Sequence, residues 1–340
     1  MKQVFLPSIV LCSVLAACGG GGGGNSANNN EAASDVGPAV ALSASNYEPA
    51  AKEIVGSVSG LQSTATVAQG FLTGVEVTST AISPAMLLQD KLPELAQLLK
   101  RRSHLTGVQY TEAIACPDGG KMDVIANDNN NNDELDTGDN VNLTISSCVY
   151  GALKVSGKMT FTVNSGLVSS EMTASQVNIT ATIQDYKAEF NDIVSIGDGS
   201  FTMNVAQAYQ AALAGPALSI DIQTPLMTSK TTQAGITKVF QFKNYAINAV
   251  AASTYSSWSV KGNISVPTLG ANTANIETLT PFSKNATTTY STVGQLAITI
   301  TNGGKMRVTA TGTPDARVEL DLNSDGVYES SKLTPWINML

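Results

Sequence analysis

The sequence predicts a mostly β protein of the α+β kind: a large curved antiparallel sheet, a partial barrel or two-layer arrangement, preceded by a short helical region. Three observations predict it. Apolar residues recur at every second position in run after run between Leu105 and Leu322, the period of a strand with one buried and one wet face. A period near 3.6 is confined to residues 46–104. Only 14% of the 340 residues are charged, whereas Thr, Ser, Asn, Val and Gly are abundant, a mixture suited to sheet surfaces whose hydroxyls and amides face water.

The chain divides into four stretches, 1–17, 18–45, 46–104 and 105–340. In the first, Lys2 precedes an apolar run from Phe5 to Ala17 interrupted only by Pro7, Ser8, Cys12 and Ser13. Such a run is too short to cross a bilayer as a helix and fits the core of an export signal. It closes on Leu15-Ala16-Ala17-Cys18, which resembles the lipobox of bacterial lipoproteins. The resemblance implies a signal peptide over 1–17, cleavage before Cys18, and acylation of the Cys18 sulfur and new amino group, palmitate included. A membrane is then a partner through acylated Cys18. Gly19 stands where an inner-membrane lipoprotein of that class carries Asp, so the resemblance implies lipid anchoring at the cell outer membrane, with periplasmic face or cell surface left open. Gly19 to Gly24 are all glycine, and Asn25 to Asn30 add only Asn, Ser and Ala. Residues 18–45 therefore read as a flexible tether of ~25–30 Å r.m.s. span.

In residues 46–104, Asn46 is a candidate N-cap, with Glu48 and Pro49 in the first turn. Tyr47, Ala50, Ala51, Ile54, Val55, Val58 and Leu61 follow at helical spacing. A second helix opens at Ser83-Pro84 with Leu88, Leu92, Leu95 and Leu99 in one stripe. Pro93 lies inside it and is expected to kink or split it. Lys100, Arg101, Arg102 and His104 complement the negative helix end, and Gly107 stops it.

Strands follow. Leu153, Val155, Met159, Phe161 and Val163 alternate with polar residues, as do Val177, Ile179, Ala181 and Ile183. The same holds for Phe201, Met203 and Val205, for Leu218, Ile220 and Ile222, and for Trp258, Val260, Ile264 and Val266. Leu296, Ile298 and Ile300, then Met306, Val308 and Ala310, then Val318, Leu320 and Leu322 complete the series. Turn clusters such as Asn164-Ser165-Gly166 and Asn302-Gly303-Gly304 separate them, giving about fourteen to sixteen strands, and a sheet that wide must curl or fold over. Gly-Gly-Lys-Met-x-Val-x-Ala occurs at both 119–126 and 303–310, each copy opening a strand upstream of an acidic loop.

Composition removes some functions. With 19 Lys and Arg against 27 Asp and Glu, the net charge is −8, which argues against nucleic acid as a partner. No second apolar run is long enough for a membrane helix. Of four cysteines, Cys12 leaves with the signal peptide and Cys18 carries lipid. Cys116 and Cys148 remain to pair in an oxidising compartment, closing a loop that stabilises by roughly 3–4 kcal/mol. A zinc site lacks partners, since His104 is the only histidine and no C-x-x-C is present.

Two acidic loops carry the most suggestive chemistry. Asp128, Asn130, Asn132, Glu134, Asp136 and Asp139 occupy the first, third, fifth, seventh, ninth and twelfth positions of a calcium-loop pattern. Asp133 replaces the turn glycine and Asp139 the bidentate Glu. The second loop, Asp321, Asn323, Asp325, Gly326 and Glu329, keeps the glycine but has Lys332 at the twelfth position. Two readings fit each loop: a weak Ca2+ site with a dissociation constant on the order of 10⁻⁴–10⁻³ M, or an Asx-rich hairpin turn.

A Cys-bracketed Asn/Asp loop ending in Gly138-Asp139, and a terminal D-x-N-x-D-G-x-x-E followed by Trp336, resemble features of uncharacterised Gram-negative outer-membrane lipoproteins. The resemblance implies location and architecture, and no activity. A catalytic triad would have to use His104 beside its Lys/Arg run, and no G-x-S-x-G, P-loop or G-x-G-x-x-G context appears. Trp258 and Trp336 are either core residues or the lining of a groove. The expected role is non-enzymatic, binding or structural. The alternatives are a carrier of lipid in a groove between helices and sheet and, behind it, a hydrolase.

Overall fold

The computed structural model of the protein describes residues 37–62, 84–100, 109–168, 176–210 and 215–339, apart from positions 253, 286, 289 and 302. Cys18, the tether up to residue 36, and the Arg101–Gly107 segment with His104 lie outside the described residues. Two helices, α1 (Tyr47–Gln62) and α2 (Pro84–Lys100), precede sixteen strands. In chain order these are β1 (Gln109–Ala115), β2 (Lys121–Asn127), β3 (Leu135–Asp136), β4 (Asn140–Tyr150), β5 (Leu153–Ser165), β6 (Leu167–Val168), β7 (Gln176–Phe190) and β8 (Ile193–Gln210). They continue as β9 (Gly215–Gln233), β10 (Ile236–Ala252), β11 (Tyr255–Ser265), β12 (Thr273–Asn285), β13 (Val293–Ile300), β14 (Lys305–Ala310), β15 (Asp315–Asp321) and β16 (Ser330–Pro335).

Fourteen strands form one antiparallel meander in which almost every hydrogen-bonded neighbour is also the neighbour in sequence; β3 and β6 pair separately. The sheet is not closed into a barrel, and β1 and β16 are its edges. Buried apolar residues from β1 to β15, both helices, Trp336 and Met339 belong to a single buried cluster. Such a wide sheet keeps one face dry only by bending around it.

The bend has a visible cause. β4, β7, β9 and β10 each carry one extra residue against a neighbouring strand, and β12 carries two. The extra residues lie beside Ser147, Asp185 and Asn244, whose φ angles are 53°, 50° and 48°. Opposite them stand glycines. A Cβ on Gly157 would meet the Asp185 carbonyl oxygen at 2.6 Å, and one on Gly262 would meet Tyr245 Cα at 2.6 Å. Both have φ above +130°, which only glycine adopts at low cost. Gly199 faces Leu226 and Met227, and Gly294 faces Phe282, in the same way. This line of bulges and glycines crosses the sheet from β4 to β13 and kinks each strand where it passes.

Buried residues show the effect on register. In β4 the buried positions run 141, 143, 145 and then 148; in β7 they run 177, 179, 181, 183 and then 186. The residue beyond each break, Cys148, Tyr186, Met227, Tyr245 or Phe282, is buried. Phe161, Phe201, Phe242, Tyr245 and Phe282 are the largest fully buried side chains, each contributing about 1.5–3 kcal/mol by leaving water.

The helices occupy different parts of this interior. In α2, Leu88, Leu92, Leu95 and Leu99 are buried as the stripe requires, and Leu95, Leu98 and Leu99 meet Val124, Ala126 and Val141 of β2 and β4. It runs unbroken through Pro93: the buried stripe on both sides of the proline offsets the lost hydrogen bond, so the expected split does not occur. α1 buries Tyr47, Ala50, Ala51, Ile54, Val55 and Val58 and lies against β14, β15 and a 3-10 turn at Pro267–Leu269. Asn46 precedes it and its carbonyl accepts the Ala50 N–H at 3.0 Å. Its side chain turns back to the preceding turn, accepting the Ser43 N–H and donating to the Ala41 carbonyl, both at 2.8 Å, instead of capping a helix N–H.

Two carboxylates pin α1. Glu53 accepts the Thr268 N–H at 2.7 Å and pairs with Lys238 of β10 at 2.8 Å. Glu48 pairs with Lys52 at 2.9 Å and with Lys332 of β16, and accepts from the Thr334 hydroxyl at 3.1 Å. Burial acting alone would raise the Glu48 carboxyl, but the hydrogen bonds from Lys332, Lys52 and Thr334 outweigh it and hold it at about 2.

Replacing Gly262 by Val forces a Cβ into Tyr245 and lowers stability by about 2–4 kcal/mol in a denaturant titration. Gly235→Ala, at a hairpin tip with open space around it but a φ of 78°, costs about 1–2 kcal/mol by the same assay, the left-handed backbone penalty alone. Because the folded Glu48 pKa is below its unfolded value of 4.5, its contribution is present at neutral pH and is lost as pH falls from about 4.5 towards 2. Glu48→Gln therefore lowers the unfolding midpoint at pH 7, by on the order of 1–2 kcal/mol given the solvent around Lys332, and has little effect at pH 2.

The two acidic loops as candidate cation sites

Both loops begin on the last polar turn of a strand and adopt one local conformation. The first acid of each is buried, Asp128 at 7% and Asp321 at 0% exposure. Each accepts the N–H of the sixth loop residue: Asp128 Oδ2 from Asp133 at 2.8 Å, Asp321 Oδ2 from Gly326 at 3.0 Å. The third residue accepts from the fifth, Asn130 from Asn132 at 3.2 Å and Asn323 from Asp325 at 3.0 Å. The fifth accepts from the seventh, Asn132 from Glu134 at 2.9 Å and Asp325 from Val327 at 2.7 Å. The fourth and sixth residues have positive φ in both: Asn131 60° and Asp133 62°, Ser324 60° and Gly326 91°. Asp133 thus does the work of the glycine it replaces, as short polar side chains can. The Gly-Gly-Lys-Met echo is structural too, since it opens β2 and β14, with Met122 and Met306 both buried.

The loops diverge in how their oxygens are filled. In the first, Asp128 Oδ1 accepts the Asn131 N–H at 2.7 Å, and the Asp136 carboxylate receives the side-chain amides of Asn130 and Asn132 at 2.8 and 2.7 Å. Asp139, fully buried, accepts the N–H groups of Asn129 and Asp136, both at 2.8 Å. Burial raises the Asp139 carboxyl, those two N–H groups oppose the rise, and Asp128 and Asp136 add to it. The middle of this loop is anchored as well. Leu135 is 1% exposed, and β3 pairs with β6 through Leu135–Val168. Glu134 is turned to Lys100 at the end of α2, 3.9 Å away, and Asp133 accepts from the Tyr110 hydroxyl at 3.4 Å.

The second loop has no such framework. Leu322 and Val327 are exposed. Glu329 reaches back to accept the Leu322 N–H at 3.0 Å, and Asn323 donates to Asp325 at 2.9 Å. Carboxylate oxygens of Asp321, Asp325 and Glu329 lie within 4.8 Å of one another. Asp321 Oδ1 is buried with no hydrogen-bond partner. Sequence spacing ranks the two loops as near equals; it carried no sign of this orphan oxygen. Leu135, the lone apolar residue within the first loop, was the available signal that the first loop is tied down.

Cys116 and Cys148 meet at disulfide distance, Cα atoms 5.3 Å apart, joining the turn after β1 to the first kink of β4. Trp258 and Trp336 belong to the core: Trp258 stacks on Phe282 at 4.2 Å, and Phe282 meets Trp336 edge-on at 6.1 Å. Comparison with protein-family models, curated proteins and solved structures finds no match to this chain.

Removing the cross-link by Cys116→Ser with Cys148→Ser lowers stability by roughly 3 kcal/mol, read as a drop in denaturant midpoint. Dithiothreitol produces the same drop in the parent chain and none in the double variant.

Proposed function

We propose that the protein is a lipid-anchored lipoprotein of the cell envelope, held at the outer membrane through acylated Cys18, with a non-enzymatic binding or structural role. The observation that carries the role is the filled interior. Side chains from every long strand and both helices close into one cluster, and the hollow between α2 and β1, β2 and β4 has a volume of only about 10 Å³. That is room for one water at most, far from the several hundred Å³ that an apolar ligand occupies. A larger hollow of about 280 Å³ over β9–β12 is open to solvent and lined by Asp221, Asn248, Lys261 and Glu277 together with Ile247 and Val260, an open mixed surface and not an enclosed apolar pocket. The wet face of the sheet carries amide and hydroxyl ladders, such as Asn142 with Thr160 and Asn164 with Asn178 and Thr180, which suits a module exposed to water on one side.

The anchor is tested by expression with labelled palmitate and cell fractionation. The parent chain incorporates label and sediments with outer membranes, whereas Cys18→Ala does neither; equal fractionation of the two sinks the anchoring. The role is tested by titrating the purified protein with a fluorescent fatty acid. Absence of saturable binding is expected, and stoichiometric binding would replace this role with that of a carrier.

A further inference from the structure

The second acidic loop offers chemistry that the envelope role neither needs nor explains. Asp321 is the last residue of β15, fully buried, and one of its two oxygens is satisfied by the Gly326 N–H. The other has no partner, although a buried carboxylate oxygen is costly to leave bare. Lys305, opposite Asp321 in the β14 register, forms no ion pair with it. Arg307, the other nearby cation, is committed elsewhere: its Nε donates to Glu319 at 2.8 Å and its guanidinium covers the Tyr328 ring at 4.0 Å. Lys332 is drawn away to Glu48. Three carboxylates thus converge with no basic side chain paired to any of them, around one bare buried oxygen.

We infer that the loop between β15 and β16 is a Ca2+ site. Asp321, Asn323, Asp325 and Glu329 supply side-chain oxygens, the Val327 carbonyl stands at the seventh position, and water completes the shell. The donors are all hard oxygens, with no histidine or thiolate among them, which selects calcium over zinc or copper. A short hairpin loop also yields to the longer and more variable distances that calcium accepts and magnesium does not. The first loop, in which the matching oxygen, Asp128 Oδ1, is taken by the Asn131 N–H and whose middle is fastened by Leu135, keeps its shape without metal. The inference goes beyond the envelope role and stands without it.

Terbium, which replaces calcium and emits when a neighbouring tyrosine is excited, reads the two loops separately, because Tyr328 lies in the second and Tyr110 touches the first. In the full chain, emission excited at tyrosine wavelengths is expected to rise with terbium and to be displaced by calcium at half-points on the order of 10⁻⁴–10⁻³ M. Millimolar magnesium leaves it. Tyr328→Phe removes most of the signal and Tyr110→Phe does not. Asp321→Asn and Glu329→Gln each weaken calcium binding at least tenfold, while Asp128→Asn leaves it unchanged. At 10 mM calcium the parent unfolding midpoint rises by about 2–5 °C, and the Glu329→Gln midpoint does not. Glu329 is exposed, so its variant folds even if Asp321→Asn does not, and it then decides alone. Emission that calcium does not displace, that survives Glu329→Gln, or that disappears in Asp128→Asn overturns the assignment.

Discussion

A wide sheet with one apolar face has to bend, and here the bend is made by backbone. Extra residues on β4, β7, β9, β10 and β12, set against glycines on β5, β8, β11 and β13, lay a crease across most of the meander. Without it each strand would run straight past the interior, and the aromatic residues beyond the break would have nothing to face. The two helices, the disulfide and the chain end at Met339 all take positions that presuppose this curvature. Cys148 itself is the first residue past the kink in β4, so the cross-link reinforces the crease at the point where it begins.

The two acidic loops show how far identical local chemistry can be bent to different ends by its surroundings. Asx turns and left-handed residues at the fourth and sixth positions give both loops one backbone path, and that path points carboxylates inward. In the first, a leucine driven into the core and a two-residue strand pairing hold the carboxylates against amide donors. In the second, an exposed valine and leucine offer no such purchase, and one buried oxygen of Asp321 is left without a donor.

Much of this was legible in the sequence, and the limits have a physical origin. Period-two alternation marks a part of most of the long strands, and the fold class follows from it. The readable runs stop at Ile183 and Ile222 because the next buried apolar residues, Tyr186 and Met227, lie beyond a bulge that shifts the buried positions from one parity to the other. A bulge thus looks, in sequence, like the end of a strand. β12 was invisible for the same reason, carrying two extra residues and few large apolar ones. Pro93 does not split its helix, whose stripe is buried on both sides of the proline. Loop spacing named the oxygen donors but not their occupancy, which depends on Leu135 and β6 outside the pattern.

The placement of α1 has a consequence for how the chain is made. Val40 bonds to Leu269 at 3.1 Å, Glu48 to β16, and Gly56 lies against the Met339 carbonyl. Successive hairpins can zip in the order of synthesis, since their partners are close in sequence. The first helix cannot: Glu48 is separated from its β16 partner Lys332 by 284 residues. During synthesis α1 therefore waits with an apolar face uncovered, and its docking registers that β14, β15 and β16 have been made.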